Sequence, residues 1–253
     1  MNKYLSDRKR HTIMNGKIVK FCEAFWRALF YATFCVVGYY ALFVPEPVVW
    51  VKNTKEYWLG WPLQSLPSAV DFYYQVELGC YLHQLFWTEV KRSDFWEMII
   101  HHFVTLMLIT LSYLTNFTRI GSSILLIHDI SDVFLETAKV INYTSKAPGR
   151  GHLKIFTDIV FSIFAISFFV TRLVIYPRYV LYATIKDGVD HFGCEFGGCY
   201  VYIGLLSALQ VLHVYWFYLI SRMIYRILTT GIEKDERSDD DEELEDEKDT
   251  KNE

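Results

Sequence analysis

Residues 155–176 read IFTDIVFSIFAISFFVTRLVIY. A bilayer core takes about 20 mostly apolar residues per helix, and this stretch is long enough. A soluble core helix would show a polar stripe at the helical period. This one is apolar nearly all round, which excludes a soluble bundle. Five further runs share the pattern, giving six candidate spans: roughly 25–44, 69–90, 98–115, 120–141, 155–175 and 200–228. The second is interrupted by Asp71, Glu77 and His83. The fold class is therefore read as all-α, a polytopic membrane bundle of about six transmembrane helices. A chain that is 52% hydrophobic and 17% aromatic agrees.

Charge divides the chain further. Residues 233–253 hold 13 acidic and 4 basic side chains, leaving 16 acidic and 21 basic in residues 1–232. The tail EKDERSDDDEELEDEKDTKNE has one apolar residue, Leu244. It cannot bury enough surface to fold and is expected to be disordered. Three parts follow: a basic arm at 1–20, a membrane domain at 21–230 and the acidic tail at 231–253. Lys3, Arg8, Lys9, Arg10, Lys17, Lys20, Lys91, Arg92, Lys146, Arg150, Lys154 and Arg226 share one side of the membrane. The other side has the smaller set Lys52, Lys55, Arg119, Arg178 and Lys186. The richer side faces the cytosol, so both termini are expected there. The polar start carries no cleavable signal peptide pattern, so the first apolar run is expected to stay as an anchor.

The loops punctuate the spans. Residues 44–68 are rich in Pro, Trp and Tyr, as an interfacial connection should be. Pro148, Gly149 and Gly151 stop one helix before the next begins. Residues 186–199, KDGVDHFGCEFGGC, read as a Gly-rich turn region on the non-cytosolic side. Cys194 and Cys199 there are a candidate disulfide in an oxidising lumen, with two free thiols as the alternative. Cys22, Cys35 and Cys80 read as small buried apolar side chains. Sequons occur at Asn116, in a tight turn, and at Asn142, on the cytosolic side; neither is expected to be modified.

Ionisable groups inside spans carry the chemistry, because each costs about 2.5–3.5 kcal/mol on insertion scales. In IGSSILLIHDISDVFLETAKVI (residues 120–141), His128, Asp132, Glu136 and Lys139 fall on one helical stripe, with Asp129 beside Asp132. That stripe must face the bundle interior or a wet cavity. Glu136 and Lys139 read as an intrahelical ion pair. The tight turn TNFTR joins the third and fourth spans as an antiparallel hairpin. His101 and His102 lie about 14 residues before its centre, Asp129 and Asp132 about 12 to 15 after it. Two imidazoles and two carboxylates therefore come level. Three chemistries could use them. Metal binding is one, although the His-rich boxes of membrane di-iron enzymes are missing. A proton pathway is the second, and acyl transfer is the third. Arg172 and His213, also within spans, are candidates to line the cavity beside His128.

Residues 91–139, KRSDFWEMIIHHFVTLMLITLSYLTNFTRIGSSILLIHDISDVFLETAK, closely resemble the Lag1 motif of the ceramide synthases, within the TRAM-Lag1-CLN8 (TLC) domain. KFCEAFWRALFY, FFVTRLVIYP, LQVLHVYWFYLISRM and DERSDDDEE resemble segments of the same family, so the likeness covers roughly residues 17–245. The resemblance implies an endoplasmic reticulum enzyme that joins the acyl group of acyl-CoA to the amine of a sphingoid base. It implies His101, His102, Asp129 and Asp132 as the residues required for activity. It assigns acyl-chain selection to the segment from Lys186 to about Gly198, including Asp187, Gly188, Val189, Asp190 and His191. Relatives carry phosphoserines in the tail, which makes Ser238, followed by three aspartates, a candidate phosphosite. Acyl-CoA would be a substrate, so no cofactor and no metal are expected. Lys91, Arg92, Lys146 and Arg150 are candidate contacts for the CoA phosphates, or simply topology-setting charges. Expected partners are acyl-CoA, the sphingoid base and membrane lipid, with a homo- or hetero-dimer as a candidate assembly and no nucleic acid. Many animal members carry an extra N-terminal span and a homeobox-like region. This chain opens on MNKYLSDRKRH, like the basic end of that region, and so reads as a short form. The alternative reading is a non-catalytic TLC-domain protein that binds or senses lipid or works beside a translocon.

Overall fold

The computed structural model describes residues 2–44, 53–86, 94–147, 149–192 and 197–230, and side chains at 16–44, 53–86, 94–147, 149–190 and 198–229. These residues form six long helices and one short helical turn. The helices are α1 (Asn2–Phe43), α2 (Ser68–Phe86), α3 (Phe95–Leu114), α4 (Thr118–Ser145), α5 (Lys154–Phe168), the turn α6 (Val189–Phe192) and α7 (Gly197–Thr230). No strand occurs among the described residues. The six long helices correspond one to one with the six apolar runs, and the protein is a multi-pass membrane protein.

Helix α4 is the axis of the bundle: it packs on α1, α5, α2 and α3. Four helical stretches are long and apolar enough to span a bilayer: Gly16–Phe43, Phe95–Leu114, Gly151–Gly188 and Gly198–Thr229. Helices α2 and α4 are outside that set because of the acids, bases and histidines within them. Helices α1, α2, α3 and α5 pack around α4, so His128, Asp129 and Glu136 of its polar stripe look inward, while Asp132 and Lys139 stay partly exposed. The outward faces carry Phe25, Trp26, Val36, Ile155, Phe156 and Ile166, all exposed.

Helix α3 ends where Asn116 takes φ 60°, a left-handed conformation that Asn tolerates better than most residues. The amides of Thr115 and Phe117 bond back to Leu111 O and Ser112 O, at 2.9 and 2.7 Å, and α4 starts at once. Asn116 Nδ2 donates to Pro62 O and Gln64 O at 2.8 and 2.9 Å. Arg119 Nη1 donates to Glu56 O at 2.7 Å, and Trp61 Nε1 to Thr115 O at 2.7 Å. Residues 53–64 are thereby strapped across the α3–α4 turn as a cap. Burial there lowers the Arg119 guanidinium and raises the Tyr57 hydroxyl from their usual ranges, the latter against a hydrogen bond with Ser123.

Two expectations need correction. The fifth helix does not stop near Ile175. It runs on with π winding through Phe169–Leu181 and again through Thr184–Gly188. An α-helix would press the ring of Pro177 against the carbonyl four residues earlier; the wider winding relieves that contact. Consequently Lys186, Asp187 and Gly188 are helical, and Val189, Asp190 and His191 form the turn α6, where a loop was expected. The basic arm is helical as well: α1 begins at Asn2 and is continuous with the first span. Lys91, Arg92, Cys194, Ser238 and the acidic tail lie outside the described residues, as does the side chain of His191.

Candidate active site in the bundle interior

The second turn of α3 carries His101 and His102, both buried. Their ring centres are 5.5 Å apart. His101 stands edge-on to Trp216 of α7 at 5.1 Å, and His102 faces Tyr81 of α2 at 6.5 Å. The Nδ1 atom of His101 is buried without a hydrogen-bond partner. Helix α4 brings Asp129 and Asp132 to the same region. Tyr81 sits within electrostatic range of both carboxylates while its ring touches His102. The placement of these four groups in one region agrees with the hairpin count.

The pairing inside that region differs from the simplest expectation. Among the described residues no hydrogen bond joins His101 or His102 to either aspartate. Asp132 is held by Arg172, whose Nη2 donates to Oδ1 at 2.6 Å. The same guanidinium donates from Nε to Ser131 Oγ at 3.1 Å and from Nη2 to His128 O at 3.2 Å, and lies 4.8 Å over the Phe168 ring. Arg172 is therefore a fastener between α4 and the π-wound stretch. Asp129 is completely buried; its Oδ2 accepts from the Tyr73 hydroxyl at 2.9 Å. Glu77 of α2, also completely buried, sits within electrostatic range of the Asp129 carboxyl, and among the described residues neither of its oxygens has a hydrogen-bond partner.

His128 and His213 form a pair of their own, Nε2 to Nε2 at 2.9 Å. His128 Nδ1 is 2.7 Å from Ile124 O, an acceptor only. That nitrogen must carry the hydrogen, so His128 Nε2 accepts from His213 Nε2–H. His213 Nδ1 is then a bare, buried lone pair. Glu136 bonds Lys139 at 2.8 Å, as its spacing suggested, and also Arg27 of α1 at 3.2 Å.

Beside these groups lies a void of about 20 Å³, room for roughly one water. Thr105, one turn beyond the histidines, His128, Tyr74, Tyr81 and Tyr202 line it. A second void of similar size lies under the 53–64 cap between Trp58, Trp61, Phe117, Gly188, Cys199 and Tyr202. Tyr202 is common to both. The roomy hollow that two lipid substrates would need is closed in this conformation.

The remaining candidates lie at the two ends. Lys146 and Arg150 are exposed where α4 gives way to α5, the end of the bundle at which α3 begins. Asp187 and Gly188 lie at the opposite end. Asp187 Oδ2 accepts from Thr54 Oγ1 at 2.8 Å, and Gly188 lies against the Trp58 ring. Lys186 lies 5.5 Å over the Tyr182 ring, and Asp190 is exposed. Among the described residues no cluster of His, Cys, Asp and Glu could hold a metal ion. Three site residues lacked a role in the sequence reading: Glu77, Tyr73 and Tyr81. An acid midway through the aromatic run VDFYYQVELGCYLHQLF was the available signal for Glu77.

Residues 20–222 match the TLC domain family. Ceramide synthase 4 of Homo sapiens is 43% identical over 223 residues, which are 87% of this chain and 54% of that protein. Ceramide synthase 4 of Mus musculus is 40% identical over 235 residues, 92% and 57% respectively. Ceramide synthase LOH2 of Arabidopsis thaliana is 37% identical over 242 residues, 89% and 77%. The chain therefore spans a little over half the length of the first two and about three quarters of the third.

Proposed function

Because the chain belongs to the ceramide synthases of the TLC-domain family, we propose that it is a sphingoid-base N-acyltransferase that uses acyl-CoA and yields ceramide or dihydroceramide. The observation that carries this reading is the withdrawal of His101, His102 and Asp129 from the surface into one region of the bundle, with Asp132 half-buried beside them and Tyr81 close to both the imidazole pair and the two carboxylates. No gain in stability offsets burying such groups without a task.

The chemistry follows from the groups. A free amine attacks the thioester carbonyl. A neutral imidazole of the His101–His102 pair takes a proton from the nitrogen as the C–N bond forms, then returns it to sulfur as the C–S bond breaks. The products are an amide and the free CoA thiol. The aspartates serve without touching the imidazoles directly: Asp132, through Arg172, locks α4 in place, and Asp129 is held by the Tyr73 hydroxyl of α2. Lys146 and Arg150 are suited to CoA phosphates at the end of the bundle nearer the histidines. The line of two voids past Tyr202 toward Gly188 suits an acyl tail, once the helices part to admit it. The charge asymmetry supports a cytosolic entrance with both termini on that side, and the family likeness supports the endoplasmic reticulum membrane as the location.

The test uses purified protein with sphinganine and acyl-CoAs of several lengths. Wild type releases CoA thiol and forms amide; His102→Ala does neither. An acyl group trapped on the protein and lost with one histidine would make that imidazole the nucleophile instead of the base. Wild type that forms no amide at any chain length would leave a lipid-binding TLC-domain protein.

A further inference from the structure

The acids of the bundle interior are not equally served by cations. Asp132 has Arg172. Glu136 has Lys139 and Arg27. Among the described residues no Lys, Arg or His forms an ion pair with Glu77 or Asp129. Both are completely buried. Neither oxygen of Glu77 and not Oδ1 of Asp129 meets a hydrogen-bond donor. The charged group acting most strongly on Glu77 is the Asp129 carboxyl, which ordinarily only accepts. Two neighbouring carboxyls can bond each other only if at least one carries a proton, and with one proton between them the pair retains one negative charge. Arg172 acts on Asp129 only from a distance, its direct ion pair being with Asp132; a buried charge without a direct partner is costly, so the pair suits a cation brought by something else.

The surroundings say where that cation arrives. Tyr74 and Tyr81, one turn on either side of Glu77 on the same face of α2, line the void beside the histidines. So do Leu125 and His128, one turn and one residue before Asp129. Glu77 and Asp129 are thus neighbours along their helices of residues that line this void, which is the route a ligand would take to them. A long apolar tail with a single positive head matches an apolar bundle with a single negative point.

We propose that Glu77 and Asp129 form the subsite that receives the ammonium group of the sphingoid base. This rests on the transferase reading and adds a step to it. The ammonium gives one proton to the acid pair, which becomes neutral with two protons, and the nitrogen lone pair is freed. The amine then attacks the thioester, and the second nitrogen proton passes through imidazole to the departing sulfur. After amide release the pair returns its extra proton to solvent. Overall one ammonium and one thioester give one amide, one thiol and one proton. Tyr73 holds Asp129 Oδ2 at 2.9 Å, which leaves Oδ1 as the oxygen without a partner.

The experiment measures binding of sphinganine and of uncharged N-acetylsphinganine to the full chain in lipid nanodiscs, beside amide synthesis. Wild type is expected to bind sphinganine at least 10-fold more tightly than the neutral analogue. Glu77→Gln is expected to lose at least 10-fold for sphinganine, with the neutral analogue and the KM for acyl-CoA within about twofold. A folded Glu77→Gln that keeps wild-type affinity for sphinganine overturns the subsite, as does one that loses both ligands alike. Should that variant fail to fold, wild type decides: equal binding of the charged and neutral ligands overturns the proposal. Wild type that prefers sphinganine yet makes no amide keeps the subsite and removes the transferase. Wild type that makes amide while Glu77→Gln keeps its KM for sphinganine does the reverse.

Discussion

His128 on α4 and His213 on α7 share one buried hydrogen bond of 2.9 Å, and the carbonyl of Ile124 fixes its direction. The bond is a strut between two helices. His213→Phe removes the donor and leaves His128 Nε2 unsatisfied, which costs about 1–3 kcal/mol. A thermal melt in detergent should show the loss. Adding His128→Phe should cost less than the sum of the two single changes, since the orphaned acceptor is gone.

Arg172 binds three oxygens at once, on Asp132, Ser131 and His128. Arg172→Met should destabilise by about 3 kcal/mol, the low end for a buried pair stripped of one partner, because Asp132 is only half-buried. Arg172→Lys should recover little of this, because an ammonium cannot reproduce the planar fork. Asp132→Asn in the Met background should recover part. Chemical denaturation of the four proteins checks the order.

Arg27 makes the opposite case. Its side chain is 37% exposed where it meets Glu136, and Lys139 already serves that carboxylate. Arg27→Ala should cost less than about 1 kcal/mol. A melt as depressed as that of Arg172→Met would mean that α1 is held to α4 mainly by this pair and not by the apolar contacts around Phe34 and Leu42.

Gly121 leaves no room for a side chain: a Cβ there would collide with the Tyr74 hydroxyl. Gly121→Ala must push α2 from α4, costing about 1–3 kcal/mol and distorting the void beside the histidines. Amide synthesis should fall together with stability. Tyr74→Phe in the same chain should restore part of both.

The segment near Gly188 gives a prediction about specificity. Thr54 and Trp58 of the cap hold Asp187 and Gly188 at the end of the second void. Thr54→Val should shift the preferred acyl length while leaving the KM for sphinganine unchanged. An unaltered profile across an acyl-CoA panel would place chain selection elsewhere.

Much of this arrangement was legible in the chain itself. Apolar length gave the helices, and the hairpin arithmetic about TNFTR brought His101, His102, Asp129 and Asp132 to one depth. Depth is what sequence counts well; azimuth between different helices is not. Nothing in the spacing of α4 says that Arg172 of the next helix reaches Asp132, or that Glu77 of α2 reaches Asp129. Those meetings depend on which faces the packing turns inward. The extension of the fifth helix was hidden for another reason. The glycines of residues 186–199 read as a turn region under α-helical rules, and π winding around Pro177 carries the helix on to Gly188.

That winding has a mechanical corollary. A π turn takes in more residues than an α turn for its advance along the axis, so Phe169–Leu181 is a rod with slack coiled into it. Rewinding part of it to ordinary pitch would drive the Asp187–Gly188 end outward and twist Arg172 away from α4 without melting any backbone. One segment can thus loosen the floor under Trp58 and the clasp on Asp132 in the same stroke.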